Sequence, residues 1–170
     1  MGTNEKRRKA NVRQIEFLVL FILAVAVGLY AYLRYSAAYG TVVVRFETPS
    51  GALTPPFRLE VADTPAKRSK GLMYRKPGEL QADEGMIFVY EKDDIQRFWM
   101  RETYIPLDMI FLDRNLKVVG ILEDVPILND KERSIDRPSR FVVELLAGSA
   151  KKHGIQVGSK AKLEGSLTVG

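Results

Sequence analysis

The chain has 170 residues, of which 46% are apolar and 28% are charged, a composition typical of one globular domain with a short extra segment. It has no cysteine and one histidine, His153, which excludes disulfides, thiolate zinc sites, cysteine nucleophiles and any site with two histidine ligands from one chain. Residues 1–40 hold six basic and two acidic residues, whereas residues 41–170 hold twenty and nineteen, so the basic charge belongs to the N-terminal segment and predicts no nucleic-acid partner. Carboxylate sites for Mg²⁺ or Ca²⁺ stay open, but no calcium-loop motif is present, and the sequence predicts no metal and no cofactor.

An uncharged apolar run, residues 17–33, follows the basic N-terminal segment. At about 1.5 Å per residue, this run spans roughly 26 Å, the low end of a bilayer crossing. The sequence predicts a cytoplasmic tail over residues 1–14, a transmembrane anchor over residues 15–36, and a domain over residues 41–170 outside the cytoplasm. A cleaved signal peptide, which would release the domain after export, and a buried soluble helix are the alternatives.

Short β-prone runs dominate the rest of the chain. Thr41–Glu47 is rich in β-branched residues, and residues 57–61 alternate between apolar and charged side chains, as in a half-buried strand. Further strands are predicted at residues 85–90, 108–112, 117–122, 141–146 and 160–163. Residues 95–101 form another candidate strand, in which Gln96, Phe98 and Met100 would share one face and Arg97, Trp99 and Arg101 the other.

Two short helices are also predicted. Thr64 is a suitable N-cap, and Pro65 suits the first position of a helix that would run to about Leu72. A second helical turn would run from Ser149 to His153. Together these elements predict a mainly β fold, either a β-sandwich or a partly closed β-barrel, with two short helices and a preceding transmembrane helix.

Three motifs carry a resemblance to a known family. They are residues 71–75, Gly-Leu-Met-Tyr-Arg; residues 85–90, Gly-Met-Ile-Phe-Val-Tyr; and residues 98–113, which begin Phe-Trp-Met-Arg-Glu-Thr-Tyr-Ile-Pro-Leu-Asp. With residues 143–148, they resemble the family called domain of unknown function 192. The resemblance implies a compact, mainly β domain that is often exported or tethered, and it implies no activity. The chain departs from the family at Glu102, where asparagine is usual, so this member's site would differ in charge if that position binds a ligand.

Asp108 lies in an otherwise apolar stretch, between Leu107 and Met109. A carboxylate there is costly to bury unless it is paired or hydrogen-bonded. Asp108 is therefore either a structural residue that accepts backbone N–H groups or a site carboxylate that pairs with Arg75 or Arg68.

Arg68, Arg75, Trp99, Arg101 and Glu102 are the other candidate binding residues. Arg68 and Arg75 are seven positions apart and would share a helical face, which is either solvated or able to bind a carboxylate, a phosphate or anionic headgroups. Trp99 and Arg101 would project from one strand face and suit a sugar, an aromatic ligand or a peptide, the alternative for Trp99 being an ordinary core position. We predict a shallow pocket lined by Trp99, Arg101 and Glu102, which would lie over an ion pair between Asp108 and either Arg75 or Arg68.

The sequence favours a membrane-tethered, non-enzymatic module that binds a small polar ligand or an envelope protein. Two alternatives stay open: a hydrolase of envelope glycan or peptide that uses Glu102 and Asp108 as acid and base, and a structural subunit of a membrane complex. A hydrolase needs a titrating carboxylate in a cleft, a binding module needs a pocket with polar groups, and a structural subunit needs an exposed apolar patch.

Overall fold

The computed structural model describes residues 14, 16–30 and 40–164, and the chain divides into two units between Tyr39 and Gly40. In the first unit, residues 16–30 form helix α1, whose apolar side chains are exposed. None of the helices in the described ranges is long and apolar enough to cross a membrane. Residues 1–13 of the predicted tail, and residues 15 and 31–36 of the predicted anchor, lie outside those ranges, so the anchor stays a prediction.

The second unit contains nine strands and two short helices within residues 40–164. The strands are β1 (Thr41–Glu47), β2 (Phe57–Ala62), β3 (Glu84–Asp94), β4 (Phe98–Met100), β5 (Leu107–Leu112), β6 (Val118–Val125), β7 (Asn129–Arg133), β8 (Ser139–Leu146) and β9 (Lys160–Glu164). The helices are α2 (Pro65–Lys70) and α3 (Ser149–Lys152). The mainly β prediction is therefore confirmed.

Seven strands form one curled sheet in the order β6-β5-β8-β3-β2-β1-β9, and β4 and β7 form a separate two-stranded ribbon. At the edges of the sheet, Lys117 and Lys160 make an isolated β-bridge. Beside it, the N–H of Val118 donates to the carbonyl oxygen of Ser159 over 2.8 Å. The sheet is thus a half-barrel whose edges meet at one end, rather than one of the two layers of a β-sandwich.

β2 and β3 are parallel neighbours, so the chain between them has to cross back along the sheet. α2 and the loop over residues 71–83, called here the crossover, make this connection. Thr64 caps α2 as predicted, because its Oγ1 accepts the N–H of Lys67 over 3.3 Å. The helix ends at Lys70, earlier than predicted, because Gly71 has a φ of 48° and leaves the helical conformation. Arg68 and Arg75 therefore do not share a helical face, and that prediction is wrong.

The two faces of the sheet are buried by different partners, because side chains alternate along each strand. The inner face encloses an apolar core that includes Leu59 and Val143. On the outer face, Phe98 of the ribbon packs edge-on between Phe88 of β3 and Phe111 of β5, with ring centroids 5.0 and 5.8 Å apart. The outer face of the central strands is therefore covered by a second layer, and the candidate site lies in that layer.

The sequence locates most of the sheet correctly. The strands predicted at residues 85–90, 108–112, 117–122, 141–146 and 160–163 correspond to β3, β5, β6, β8 and β9. Only Phe98–Met100 of the candidate strand 95–101 is a strand. Phe98 and Trp99 lie on opposite faces, as the alternation predicts, and Trp99 is exposed rather than in a core position. β7 is missed because Asn129–Arg133 contains no apolar residue.

Candidate functional site

A cavity of about 220 Å³ lies on the outer face of the sheet, between the crossover and β4. It is lined by residues 68–73, Phe88, Tyr90, residues 97–99, Thr103 and Glu144. Pockets for drug-sized ligands have volumes of about 300–1,000 Å³. The cavity therefore accommodates only a compact molecule.

Glu144 lies at the floor of this cavity. The alternation along β8 places Val143 and Leu145 in the inner core and Glu144 on the outer face, where it is 4% exposed. Its direct neighbours on the adjacent strands are Met86 of β3 and Met109 of β5. Burial raises the pKa of the Glu144 carboxyl group to about 8, and no hydrogen bond or charge from the described residues offsets that effect. Glu144 is thus a buried carboxyl group without a protein partner in the described part of the chain.

Gly85 keeps the strands that hold Glu144 close together. A Cβ atom at position 85 would lie 2.3 Å from the carbonyl oxygen of Glu144 and 2.7 Å from Cδ2 of Leu145. A side chain at this position would push β3 away from β8, so glycine is required here by the close approach of two backbones.

The crossover forms the opposite wall of the cavity. At Gly71, a Cβ atom would lie 3.2 Å from Cζ of Phe88, so the loop approaches β3 closely. Three residues later, the N–H of Tyr74 donates to the carbonyl oxygen of Glu102, which follows β4. Residues 71–74 are therefore held between the sheet and the loop after β4.

Arg68 fixes the end of α2 at the edge of the cavity. Its Nη1 donates to the carbonyl oxygens of Asp63 and Val89, over 2.7 and 2.9 Å. Its guanidinium also lies over the ring of Tyr90, 5.0 Å from the ring centroid. Burial raises the pKa of the Tyr90 hydroxyl above its ordinary value. Arg68 thus ties the helix to β3 and adds a positive charge beside the cavity.

The charges that line the cavity change sign with depth. Glu144 at the floor is the only carboxyl group among the lining residues. Arg68 and Lys70 are half-buried, and Arg97 is exposed, with its Nε 3.9 Å from Oε2 of Glu132. The cavity therefore has an acidic floor and a basic rim, formed by Arg68, Lys70 and Arg97.

Two of the six predicted binding residues, Arg68 and Trp99, line this cavity. Arg101 and Glu102 line a separate, open depression, in which Nε of Arg101 lies 3.2 Å from Oδ1 of Asp130. The Arg101 guanidinium lies over the Trp99 ring, 5.3 Å from its centroid, so these two side chains share a face as predicted. Ligand binding by Trp99, Arg101 and Glu102 stays a prediction.

The predicted pair between Asp108 and an arginine is wrong. Asp108 is fully buried, and its two carboxylate oxygens accept the backbone N–H groups of Asp124 and Ala150, over 2.9 and 2.8 Å. Arg75 instead donates through Nη2 to Oε1 of Glu60 in β2. Neither Asp108 nor Arg75 lines the cavity, because both are used to hold elements of the fold together.

The family model for domain of unknown function 192 (DUF192), described as "Uncharacterized ACR", matches residues 46–163. The chain belongs to the DUF192 family. No curated protein matches this sequence.

Two solved structures are similar to it. One, from Sinorhizobium meliloti and proposed to be a transcription regulator, is 31% identical with a TM-score of 0.70, covering 74% of this chain and 95% of the other. The second, of unknown function from Novosphingobium aromaticivorans, is 37% identical with a TM-score of 0.66, covering 72% and 84%.

The asparagine that is usual at position 102 of DUF192 members has a backbone explanation, whereas the glutamate of this chain has none. Glu102 has a φ of 49°, in the left-handed region that asparagine and glycine tolerate better than other residues. The glutamate side chain accepts the hydroxyl of Tyr104 at the surface, over 2.9 Å. An asparagine at this position is therefore favoured by its conformation, without any contact to a ligand.

The central residue of the cavity in this DUF192 domain, Glu144, is missed by the sequence reading. Glu144, between Val143 and Leu145, is a carboxylate within an apolar stretch, as Asp108 is. The sequence does not indicate that the crossover and the ribbon cover the outer face of β8. Strand alternation alone would have assigned Glu144 to the solvent side.

Proposed function

We propose that this DUF192 domain is a membrane-tethered, extracytoplasmic, non-enzymatic module that binds a small polar ligand in the Glu144 cavity. One observation carries the proposal: a carboxyl group that is 4% exposed and lines a cavity, with no partner among the described residues. Burying a carboxyl group is costly, so a buried carboxyl group that lines a cavity without a protein partner is a candidate for ligand binding. The ligand supplies the missing hydrogen bonds.

Binding is better supported than hydrolysis. Glycoside hydrolysis uses two carboxyl groups that flank the scissile bond, about 5–10 Å apart. Glu144 is the only carboxyl group among the lining residues, Glu102 lies in the separate depression, and Asp108 is occupied by two backbone N–H groups. The acid–base pair of Glu102 and Asp108 is therefore not part of the proposal.

A protein partner is a second candidate, favoured by exposed apolar side chains on connected loops. Tyr74 and Leu128 are 58% and 57% exposed. Their backbone N–H groups donate to the carbonyl oxygens of Glu102 and Thr103, respectively, so both side chains belong to the loops around the segment that follows β4. Large exposed apolar groups near one another are typical of interaction surfaces. An envelope protein that binds here would lie beside the cavity and need not enter it.

The test is a ligand-observed NMR screen of the full chain in mild detergent, with polar fragments of up to about ten non-hydrogen atoms. Trp99 lines the cavity and is the only tryptophan of the chain, so its fluorescence reports binding at this site. We expect fragments that change Trp99 emission saturably with the wild-type chain and fail to do so with Glu144→Gln. Glu123→Gln, which removes an exposed carboxylate of β6, is the matched control and should bind as the wild type does. Fragment binding that is equal in all three chains would refute the cavity as the site.

A further inference from the structure

The cavity has opposite charges at its two ends. The single carboxyl group, Glu144, is at the buried floor, and Arg68, Lys70 and Arg97 form the basic rim. A ligand that carries only a positive charge would have to pass three cations to reach Glu144. A ligand that carries only a negative charge would find its partners at the rim and leave the floor unpaired. Only a molecule with both charges satisfies the two ends together.

From this arrangement, and resting on the proposed function, we infer that the ligand is a small zwitterion whose ammonium group lies against Glu144 and whose anionic group lies at the basic rim. An ammonium group has three N–H donors and no acceptor, which matches a carboxylate that has acceptors and no donor. The walls above Glu144 include the rings of Phe88, Phe98 and Trp99.

The size of the cavity limits the ligand further. The cavity volume of about 220 Å³ is below the range of about 300–1,000 Å³ that is usual for drug-sized ligands. This is room for a short aliphatic chain that carries an amine at one end and a carboxylate or similar anion at the other. A phospholipid with its acyl chains, or a peptide of several residues, would extend beyond the cavity.

The surroundings of Glu144 predict how zwitterion binding depends on pH. The charged or titratable groups around the cavity are Arg68 and Lys70 from the crossover, Tyr90 from β3, and Arg97 before β4, while the strand neighbours of Glu144 are methionines. An ammonium group binds the ionised form of Glu144, whose pKa in the empty cavity is about 8. Affinity should therefore rise roughly tenfold from pH 6 to pH 7 and level off above pH 8. A ligand that accepts a hydrogen bond from protonated Glu144 would show the opposite dependence, with affinity lost above pH 8.

The experiment titrates the full chain in mild detergent with four probes that share a four-carbon chain, following Trp99 fluorescence at pH 6, 7 and 8. The probes are 4-aminobutyrate, butylamine, butyrate and butyramide. We expect 4-aminobutyrate to bind at least roughly tenfold more tightly than the other three at pH 8, because one unmatched charge typically costs more than 1.4 kcal/mol in a buried site. Glu144→Gln should abolish this preference and the pH dependence. Arg97→Gln should reduce severalfold the ratio of the affinity for 4-aminobutyrate to the affinity for butylamine. Arg137→Gln, at an exposed position outside the cavity, should leave both affinities unchanged.

The results separate this inference from the proposed function. If butyrate or butyramide bound more tightly than 4-aminobutyrate, and this binding depended on Glu144, the inference of a zwitterionic ligand would be wrong. The proposal of a polar-ligand site would still stand. Absence of any response to the four probes would also overturn the zwitterion, while the fragment screen decides the proposed function independently. Because Glu144→Gln replaces an unpaired buried carboxyl group by a neutral isostere, this variant is expected to fold.

Discussion

The N–H of Tyr74 donates to the carbonyl oxygen of Glu102 over 2.6 Å, and both residues have positive φ angles, 69° and 49°. Left-handed backbone conformations cost a residue with a side chain about 1–2 kcal/mol each. Two such residues joined by a hydrogen bond connect the crossover to the loop after β4. Neither residue belongs to the inner core, and both are exposed, so this connection joins two surface segments.

Replacing Glu102 with asparagine should stabilise the domain by about 0.5–1 kcal/mol, since asparagine tolerates a positive φ better than glutamate. Urea unfolding, followed by Trp99 fluorescence, measures the change. Glu102→Gln is the matched control: it keeps the side-chain length and an acceptor for Tyr104, and should stay within about 0.5 kcal/mol of the wild type. Equal stabilisation by both variants would assign the effect to the lost charge instead of the backbone.

Asp108→Asn should destabilise the domain by about 3 kcal/mol, because an asparagine cannot accept both the Asp124 and the Ala150 N–H groups with its single carbonyl oxygen. The same urea experiment applies. Asp130→Asn, which removes an exposed carboxylate beside Arg101, should change the free energy of unfolding by less than about 0.5 kcal/mol. If Asp108→Asn proved as mild as this control, the two hydrogen bonds would not hold the fold as described.

Glu144 should make the wild-type domain less stable as pH rises from about 4.5 to about 8. Its pKa is 4.5 in an unfolded chain and about 8 in the folded domain, so the folded state binds more protons across this range and the free energy of unfolding falls with pH. The slope is at most about 1.4 kcal/mol per pH unit, and the effect is complete above pH 8. Glu144→Gln lacks this titrating group. The free energy of unfolding of the variant minus that of the wild type should therefore increase from pH 5 to pH 8. Parallel curves for the two chains would show that Glu144 titrates normally.

Arg75→Gln should cost about 2 kcal/mol, because it leaves the half-buried Glu60 carboxylate without this cation. In the described structure, the other oxygen of Glu60, Oε2, is buried without a hydrogen bond, so the carboxylate is already poorly satisfied. Adding Glu60→Gln should recover at least about 1 kcal/mol of the loss, which a double-mutant cycle in urea would detect. Additive losses in the cycle would indicate that Arg75 stabilises the domain through other contacts.

The predicted membrane topology is tested with single cysteines, since the chain has none of its own. Ser50→Cys, at an exposed turn of the domain, should react with a membrane-impermeant thiol reagent in intact bacterial cells. Thr3→Cys in the predicted cytoplasmic tail is the control and should react only after lysis. Labelling of position 50 only after lysis would overturn the outward orientation.

The strands and the site differ in how far the sequence predicts them. Strand positions follow from local patterns. Short apolar, β-prone runs place β5 and β8 within a residue or two, and alternation correctly assigns Phe98 and Trp99 to opposite faces. β7 has no such pattern, because its residues form an exposed ribbon edge that needs no apolar side chain.

The site depends on contacts between segments that are distant in the chain. Glu144 becomes a cavity residue only because the crossover ends its helix at Gly71 and β4 inserts Phe98 over the sheet. Asp108 and Glu144 look alike in sequence, as carboxylates between apolar neighbours, yet one accepts two backbone N–H groups and the other none. Which of them is structural depends on what packs above each strand, and that information is not local.

The pairing of β1 with β9 has a consequence for how the domain folds. Val43 and Glu164 are partners across these strands, so the first and last strands of the sheet lie side by side although more than a hundred residues separate them. Contacts of such long range slow folding, because loop-closure entropy is lost before the contacts form. β1 gains its second neighbour, and the edges of the half-barrel meet, only after residues 160–164 have been synthesised. Until then, the edge of β1 that β9 covers has no neighbour, and an unpaired strand edge can pair with other chains.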